Sequence, residues 1–539
     1  MKIKFVSNGL SGKVNRGQSG STAINPAYFF LKAYYILHGK NPAVEWLPCD
    51  FIMTCTFEEQ LANIVAEAPD LIGLSVYVWN EEYQFELAKA LKKQLPNSVI
   101  VLGGPQLIAH KDIEFFNKHP FIDFVCYGDG EQAFQLLIDR IGGYLPADVD
   151  LINMVENLHD GYKLWPFEII TDKDYLGTSS FLIQKQEVID SVVRLEAEGI
   201  PRQELILAIE FARGCMYGCS FCDWSQNLTK KVKRRSHDWR SELDFFKELD
   251  IVLRETDANF GQWPEDIKIF DYAVSIYDPS KNFKFRVHNT PKLKKEATYY
   301  LQMTQAKLYG FRVHVALQDI NEHVLANINR PSISWEDYKT LLRRMQIELP
   351  EDKKHLLGVQ LISGLPGQTY KSIVDMLVEL YRLGIRQTAL NVWVYLDNSP
   401  ACDPMYQKLH KLEWIDAYFL VSEGMQIDDV PALYQELSTT VADPTVWTKL
   451  KIVKQTSSMN LKDIIQSQLF RQYFNAEISA ARGTTMDEVK LIACRDRIDA
   501  KVQLEVGKMF DRVTPLIEKH DMVVFTHLVD NHMKAIYAD

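Results

Sequence analysis

The stretch Glu210-Phe-Ala-Arg-Gly-Cys-Met-Tyr-Gly-Cys-Ser-Phe-Cys-Asp-Trp224 sets three thiols, Cys215, Cys219 and Cys222, at C-x3-C-x2-C spacing. It follows an apolar run, residues 205–209, that reads as a buried strand. Soft thiolates suit iron, and three on one short turn can each hold one iron of a cubane cluster. The fourth iron of such a cluster stays open. An electron carrier would want a fourth thiol nearby, and the next ones, Cys126 and Cys402, are remote in sequence. A zinc knuckle and a broken ferredoxin are the competing readings. Zinc calls for a fourth Cys or His close by, and His237 stands without a paired ligand.

With Arg213-Gly214 before it and the aromatic Phe221 inside it, this motif resembles that of the radical S-adenosylmethionine superfamily. The resemblance implies a 4Fe-4S cluster on Cys215, Cys219 and Cys222, with S-adenosyl-L-methionine chelating the open iron through its amino and carboxylate groups. One electron from the cluster then cleaves the sulfonium to a 5'-deoxyadenosyl radical, and Phe221 packs near the adenine. A low-potential electron donor such as ferredoxin or flavodoxin is implied as a partner.

The chain of 539 residues is long enough for two to four domains, and 47% hydrophobic with 24% charged residues is ordinary for a globular protein. A net charge of −11 and a pI near 5.7 argue against a nucleic-acid-binding surface. The basic run Lys230-Lys-Val-Lys-Arg-Arg235 stands against that trend and reads as a solvated loop, with contact to an anionic substrate as the alternative. Eight cysteines, three of them in one motif, do not read as a disulfide framework and point to a reducing cytoplasm. The first residues turn polar at once, unlike a signal peptide. No apolar run approaches the ~18 residues of a membrane span.

Residues 1–141 alternate short apolar runs (3–7, 43–47, 71–76, 99–102, 124–127) with amphipathic segments (28–37, 57–68, 82–95, 132–141). This pattern predicts a doubly wound, flavodoxin-like parallel sheet of order 2-1-3-4-5, binding its ligand beyond the strand carboxyl ends. Four turns lie at that edge: Asn8-Gly-Leu-Ser-Gly12, Ser75-Val-Tyr-Val-Trp-Asn80, Gly103-Gly104-Pro105 and Gly128-Asp-Gly-Glu131. Paired glycines let a ligand approach the backbone, and Ser75 offers a hydroxyl. Placed before the cluster motif, these turns resemble the cobalamin-binding domain of cobalamin-dependent radical S-adenosylmethionine enzymes. The resemblance implies that Ser75, Gly103 and Gly104 line the cavity for the nucleotide tail. Many such domains carry Asp-x-His-x-x-Gly after the first strand, yet residues 8–21 contain no His. Cobalamin is then expected with its base displaced and its lower face unligated, the alternative being a domain that has lost its cofactor.

Residues 142–200 read as a linker with one helix at 191–198. From 201 to 405, candidate strands at 205–212, 251–256, 283–288, 312–317, 359–363 and 389–395 suit the partial (β/α)6 barrel that the superfamily resemblance implies. Barrels place chemistry at strand carboxyl ends. By position, Asp257 and Asn259 after the second strand match the family's contact to the methionyl amino group, and Gln318 with Asp319 after the fourth matches its contact to ribose. Gly364-Leu-Pro-Gly-Gln-Thr369 matches the family's Gly-Leu-Pro-Gly-Glu-Thr turn, with Gln368 in place of Glu, and reads as structural. Leu396-Asp-Asn-Ser-Pro400 resembles its closing loop. Residues 406–539 read as a helical domain, with amphipathic runs at 461–475, 486–510 and 513–519, and with His527 and His532 as structural or surface residues.

Three functions follow from these readings. The leading one is cobalamin-dependent radical methyl transfer to an unactivated carbon. A radical cyclase or rearrangement enzyme would use the same cofactors, and a non-catalytic cobalamin or redox sensor would use neither for turnover. Methylthiotransfer fits less well, because Cys49, Cys55 and Cys126 lack the frame of a second cluster. No side chain is singled out as the catalytic acid or base, and no substrate is named.

Overall fold

The computed structural model describes residues 1–9, 22–107, 113–158, 161–224, 232–420, 447–480, 486–520 and 522–525. Five parallel strands, Lys2–Gly9, Glu45–Trp46, Leu71–Ser75, Val99–Gly103 and Phe124–Cys126, form the core of the first sheet. Their spatial order is second, first, third, fourth, fifth, as the apolar runs predict. Every residue of Leu71–Ser75 is buried, which is what helices on both faces of a parallel sheet require. The direction in which strands are added to the sheet reverses between the first and third strands, where Ile3 to Val6 pair in parallel with Leu71 to Leu74. Sheets of this order take ligands at the carboxyl ends of these two strands.

Residues 142–200 are not the linker that their composition suggests. Met154–Asn157 extends the first sheet antiparallel to its fifth strand, and Tyr162–Leu164 pairs antiparallel with Met154–Asn157. The helix Lys185–Ala197 lays Val188, Val192 and Leu195 into one core with Phe29 and Leu205. Strands of three or four residues among Gly, Pro and Asp carry too little periodicity to stand out from loop.

The six barrel strands are Leu205–Ile209, Val252–Glu255, Lys284–Arg286, Val313–Gln318, Leu357–Ser363 and Gln387–Val392. They form two parallel sheets, with no strand pairing between the third and fourth. Open sheet edges need hydrogen-bond partners, and the helix Lys295–Tyr309 supplies them at this seam. Buried Gln305 accepts from the Val287 N–H and donates to the Val287 carbonyl, both at 3.0 Å. Buried Gln302 accepts from the His314 N–H at 3.2 Å. The imidazoles of His288 and His314 face each other across the gap, 5.7 Å apart. At the other edge, Thr22–Ile24 pairs in parallel with Leu205 to Leu207, so a segment of the amino-terminal domain is an edge strand of the barrel.

Beyond the barrel, the long helices Leu461–Ala480 and Glu488–His520 bear out the helical reading. A three-stranded sheet, Glu413–Leu420, Trp447–Gln455 and Met522–Phe525, corrects the expectation of an almost wholly helical region. Ile464, Phe470 and Phe474 of the first helix and Leu491, Ile498 and Val502 of the second share a core with Val315, Val359 and Leu390 of the later barrel strands. Burial against the barrel holds these helices in place. His527 and His532 lie outside the described residues. No described helix is long and apolar enough to cross a membrane.

Candidate functional site

The three motif cysteines leave the short strand Ala212–Arg213 through Gly214, whose φ of +96° lies in the left-handed region that favours glycine. The loop is pinned from outside at three points. The Ser220 N–H donates to the Ile328 carbonyl at 2.9 Å, and the Ala401 N–H donates to the Ser220 carbonyl at 3.0 Å. Asn329 donates to the Gly218 carbonyl at 2.9 Å. Cys215 and Cys219 are buried and Cys222 is half-buried. Two side chains address the sulfurs: Asn259 Nδ2 lies 3.2 Å from Cys215 Sγ, and Lys292 Nζ lies 3.5 Å from Cys219 Sγ. Donors to sulfur are one of the levers that tune a thiolate-held cluster.

Burial pushes the Cys222 thiol up to about 12, and Asp223 adds to that shift. Bound metal inverts this, because a coordinating thiol is deprotonated outright. No group of three His, Cys, Asp or Glu among the described residues converges as ligands of a single ion. A cubane sets each thiolate on its own iron and asks for a wider arrangement. His237, the one candidate for a zinc reading, has a partner elsewhere. Its Nε2 lies 2.9 Å from the Glu242 carboxylate and its ring stacks on Phe211.

Next to the thiols lie acceptors without donors. Asp257 Oδ1 accepts from the Phe211 N–H at 2.9 Å, whereas Asp257 Oδ2 and Asn259 Oδ1 are buried and unpartnered. Burial holds the Asp257 carboxyl well above the usual range, and Glu255 beside it raises it further. Burial also pushes Glu255 up to about 8, although the backbone N–H groups of Asn289 and His288 pull it down. Buried acceptors left open are costly in a bare chain and suit an incoming ammonium group. Three thiols with these acceptors fit a cluster whose open iron takes an amino-acid chelate.

Phe221 is half-buried against the later-strand core, with the Arg330 guanidinium 5.9 Å from its ring. Gln318 is buried at the carboxyl end of Val313–Gln318 with φ +68°, where the register against Leu361 slips. Left-handed backbone costs a non-glycine residue roughly 1–2 kcal/mol, and such strain gathers at ligand sites. Asp319 accepts from Gln368 Nε2 at 2.6 Å, and Gln368 also donates to the Ile362 carbonyl at 2.8 Å. This explains Gln368 where the family's turn has Glu, since a glutamate would set two carboxylates against each other.

In the first sheet, Ser75 and Gly103 end adjacent strands and pair in register. The two glycines differ. A Cβ on Gly104, at φ +120°, would meet the Val76 carbonyl oxygen at 2.3 Å, whereas one on Gly103 would meet only Cys126 Cβ at 3.7 Å. Gly104 is therefore dictated by packing within the protein, whereas Gly103 has room for a side chain at the strand end. Sequence reasoning missed an aromatic pair at this edge. The Tyr77 hydroxyl accepts hydrogen bonds from Asn25 at 2.8 Å and from Ser75, and its ring stacks on Trp79 at 4.5 Å. Trp79 is 43% exposed, and an aromatic with no core duty in a strand-end turn was the available signal. His38 lies 3.2 Å from the Asp172 carboxylate, and His110 and residues 10–21 lie outside the described residues.

The turn after the fifth strand is occupied by charge pairing. Arg213 reaches Asp129 at 3.0 Å, Glu131 at 2.8 Å and Glu210 at 3.0 Å, while Lys233 reaches the other Asp129 oxygen at 2.5 Å. Burial would raise the Asp129 carboxyl, but Arg213 and Lys233 outweigh it and hold it at about 2. The basic run is correspondingly not a solvated loop over its last three residues. Lys233 pairs as above, Arg234 pairs with buried Asp266 at 2.6 Å, and Arg235 donates to Tyr175 at 3.2 Å. Lys230 lies outside the described residues.

Residues 37–138 match the family described as B12 binding domain. The chain is 28% identical over 410 residues to the cobalamin-dependent radical SAM methyltransferase TokK of Streptomyces tokunonensis, covering 72% of this chain and 56% of that protein. It is 28% identical over 385 residues to the 2-(S-pantetheinyl)-carbapenam-3-carboxylate methyltransferase of Streptantibioticus cattleyicolor, covering 67% of this chain and 52% of that one. The chain thus spans about half the length of the curated relatives it matches. In fold it is similar to the radical S-adenosylmethionine methyltransferase TsrM of Kitasatospora setae, solved with cobalamin and a 4Fe-4S cluster bound. The TM-score is 0.59 at 13% identity, covering 94% of this chain and 99% of that one. Fold and motif together define a class: a B12-binding domain joined to a partial barrel that carries a three-thiol loop. Within that class, residues 37–138 are a B12-binding domain, and the chain as a whole is similar to cobalamin-dependent radical S-adenosylmethionine methyltransferases.

Proposed function

We propose that the chain is a cobalamin-dependent radical S-adenosylmethionine methyltransferase acting on an unactivated carbon. The observation that carries this reading is the pair of buried, unpartnered acceptors after the second barrel strand, Asp257 Oδ2 and Asn259 Oδ1, with the Asn259 Nδ2 on the Cys215 sulfur. They lie in a chain whose cluster loop is bonded through Arg213 to the edge of a B12-binding domain. Cys215, Cys219 and Cys222 hold the 4Fe-4S cluster. Asp257 and Asn259 receive the amino group of S-adenosyl-L-methionine, Gln318 addresses its ribose and Phe221 its adenine. Ser75 and Gly103 hold the displaced tail of cobalamin, with Gly104 shaping the turn. When bound, the cluster and S-adenosyl-L-methionine supply the hydrogen-abstracting radical and cobalamin supplies the methyl group.

Around these groups the chain positions and excludes. Asn259 and Lys292 place N–H donors on two of the sulfurs. Arg330 covers one side of Phe221, and Gln302 with Gln305 closes the seam of the barrel against water. The electron comes from a low-potential donor such as ferredoxin or flavodoxin, because sulfonium cleavage calls for the lower part of the roughly −700 to +450 mV range of protein-held clusters. None of the eight cysteines is in a disulfide, which supports a reducing, cytoplasmic setting.

The test is an anaerobic incubation of the chain, reconstituted with iron, sulfide and hydroxocobalamin, with S-adenosyl-L-methionine and titanium(III) citrate. The expected products are 5'-deoxyadenosine, from radical formation, and S-adenosylhomocysteine, from methyl loading. Deoxyadenosine without S-adenosylhomocysteine would mean a cyclase or rearrangement enzyme. Neither product would mean a sensor.

A further inference from the structure

We propose that Arg213 is a positioning residue: the charge clasp it makes with Asp129 and Glu131 fixes the separation of the cluster loop from the cobalamin-binding cleft. The proposed function enters only in naming the two cofactors. The clasp itself is a property of the chain.

Arg213 lies two residues before Cys215, in a strand that pairs antiparallel with Lys233–Arg234. Its fork is divided among three carboxylates. Nη2 lies 2.8 Å from Glu131, Nη1 lies 3.0 Å from Asp129, and Nε lies 3.0 Å from Glu210 on its own side. From the facing strand, Lys233 reaches the second Asp129 oxygen at 2.5 Å. Glu131, with a side chain only 3% exposed, also accepts from the Tyr175 hydroxyl at 3.1 Å. Both strands of the hairpin at the cluster loop therefore hang on one turn, residues 128–131. That turn ends the fifth strand of the first sheet and opens the helix Gly130–Ile141.

A planar guanidinium sharing its donors between fixed carboxylates defines orientation as well as distance, which a lysine ammonium does not. A second tie stands on the opposite flank of the loop. Asn398 donates to the carbonyl of Pro105, the residue after Gly103-Gly104, and the neighbouring Ala401 N–H bonds the Ser220 carbonyl. The cluster loop is thus tied to the turn after the fifth strand of the B12-binding domain through Arg213 and to the turn after the fourth through residues 398–401. Two cofactors that must act on one substrate need a fixed spacing, and the bare chain holds it before any ligand arrives.

The test reads distance. Nitroxides are placed by non-cysteine chemistry at Lys89, 62% exposed on the first domain, and at Ile347, 79% exposed on the barrel. Double electron–electron resonance is then recorded on the full chain without cofactors. The unaltered chain should give one narrow separation. Arg213→Gln should broaden or displace it, and the triple variant Asp129→Asn, Glu131→Gln, Arg213→Gln should do the same without stranding buried carboxylates. Arg213→Lys keeps the charge but not the fork, and should give an intermediate width. It also supplies the reading if the neutral variants do not fold. A folded variant with the unaltered distribution overturns the proposal, since a cluster of charges that merely adds stability would leave the separation alone. In the reconstituted chain, the dipolar coupling between cobalt(II) and the reduced cluster should change in the same variants. A chain that retains neither cofactor would defeat the proposed function while leaving the nitroxide result to decide the clasp.

Discussion

Asp129 and Asp257 each follow a parallel strand, one in the B12-binding domain and one in the barrel, and their surroundings are opposite. Asp129 is met by Arg213 and Lys233 and its carboxyl is held at about 2. Asp257 has backbone donors on one oxygen only, an unpartnered second oxygen and an acid for a neighbour, and burial holds its carboxyl well above the usual range. The same residue type is satisfied within the chain in the first case and left uncompensated in the second. An acid that the fold does not compensate marks a ligand site more surely than its place at a strand end.

The largest expected effect lies on the barrel side. Cys215→Ala, Cys219→Ala or Cys222→Ala should each abolish the cluster absorbance and all 5'-deoxyadenosine while leaving cobalamin bound. A variant lacking all three thiols that still cleaves S-adenosyl-L-methionine would break the contrast between the two regions. Next comes a comparison within the B12-binding domain. Gly104→Ala drives a Cβ into the Val76 carbonyl and should cost roughly 3 kcal/mol in a thermal or denaturant melt. Gly103→Ala should fold and show its effect in cobalamin retention instead.

The two aspartates make the sharper comparison. Asp129→Asn should destabilise the chain by roughly 2 kcal/mol at pH 7, the free energy equivalent of the fall from 3.8 to about 2. Because the folded value is the depressed one, that stability is present above pH ~4 and is lost as pH falls toward 2. Asp257→Asn should leave the cofactor-free chain as stable or more so, since it removes an uncompensated buried acid, and should weaken binding of S-adenosyl-L-methionine. Denaturant titrations of both variants, with isothermal calorimetry for the second, check the pair. Equal destabilisation by the two would erase the distinction drawn here. The smallest effect is electronic. Lys292→Met removes a positive charge beside Cys219 and should lower the cluster midpoint by tens of millivolts in a potentiometric titration, because the reduced cluster is the more negative state.

Much of the frame was legible in the sequence for specific reasons. Buried parallel strands read as short apolar runs, which is why 71–76, 99–102 and 124–127 announced the first sheet and its order. Thiols at C-x3-C-x2-C carry their chemistry in their spacing alone. What stayed hidden depends on partners far along the chain. Thr22–Ile24 has three residues and no periodicity, so nothing in it announces a place in the barrel. Gln302 and Gln305 look like surface residues of a helix until the broken sheet behind them is seen. Lys233 read as part of a solvated loop and Asp129 as part of a ligand-edge turn, because an ion pair across 104 positions leaves no local pattern. The acceptors beside Cys215 were placed by resemblance, and their lack of partners became visible only in three dimensions.

The most direct measurement is a structure of the chain loaded, without oxygen, with cluster, cobalamin and S-adenosyl-L-methionine. The account predicts the methionyl amino group against Asp257 Oδ2 and Asn259 Oδ1, the cobalamin tail between Ser75 and Gly103, and the Arg213 clasp unchanged from the bare chain. It would be contradicted by S-adenosyl-L-methionine bound away from Asp257 and Asn259, or by Asp129 and Glu131 released from Arg213 to meet the cofactor.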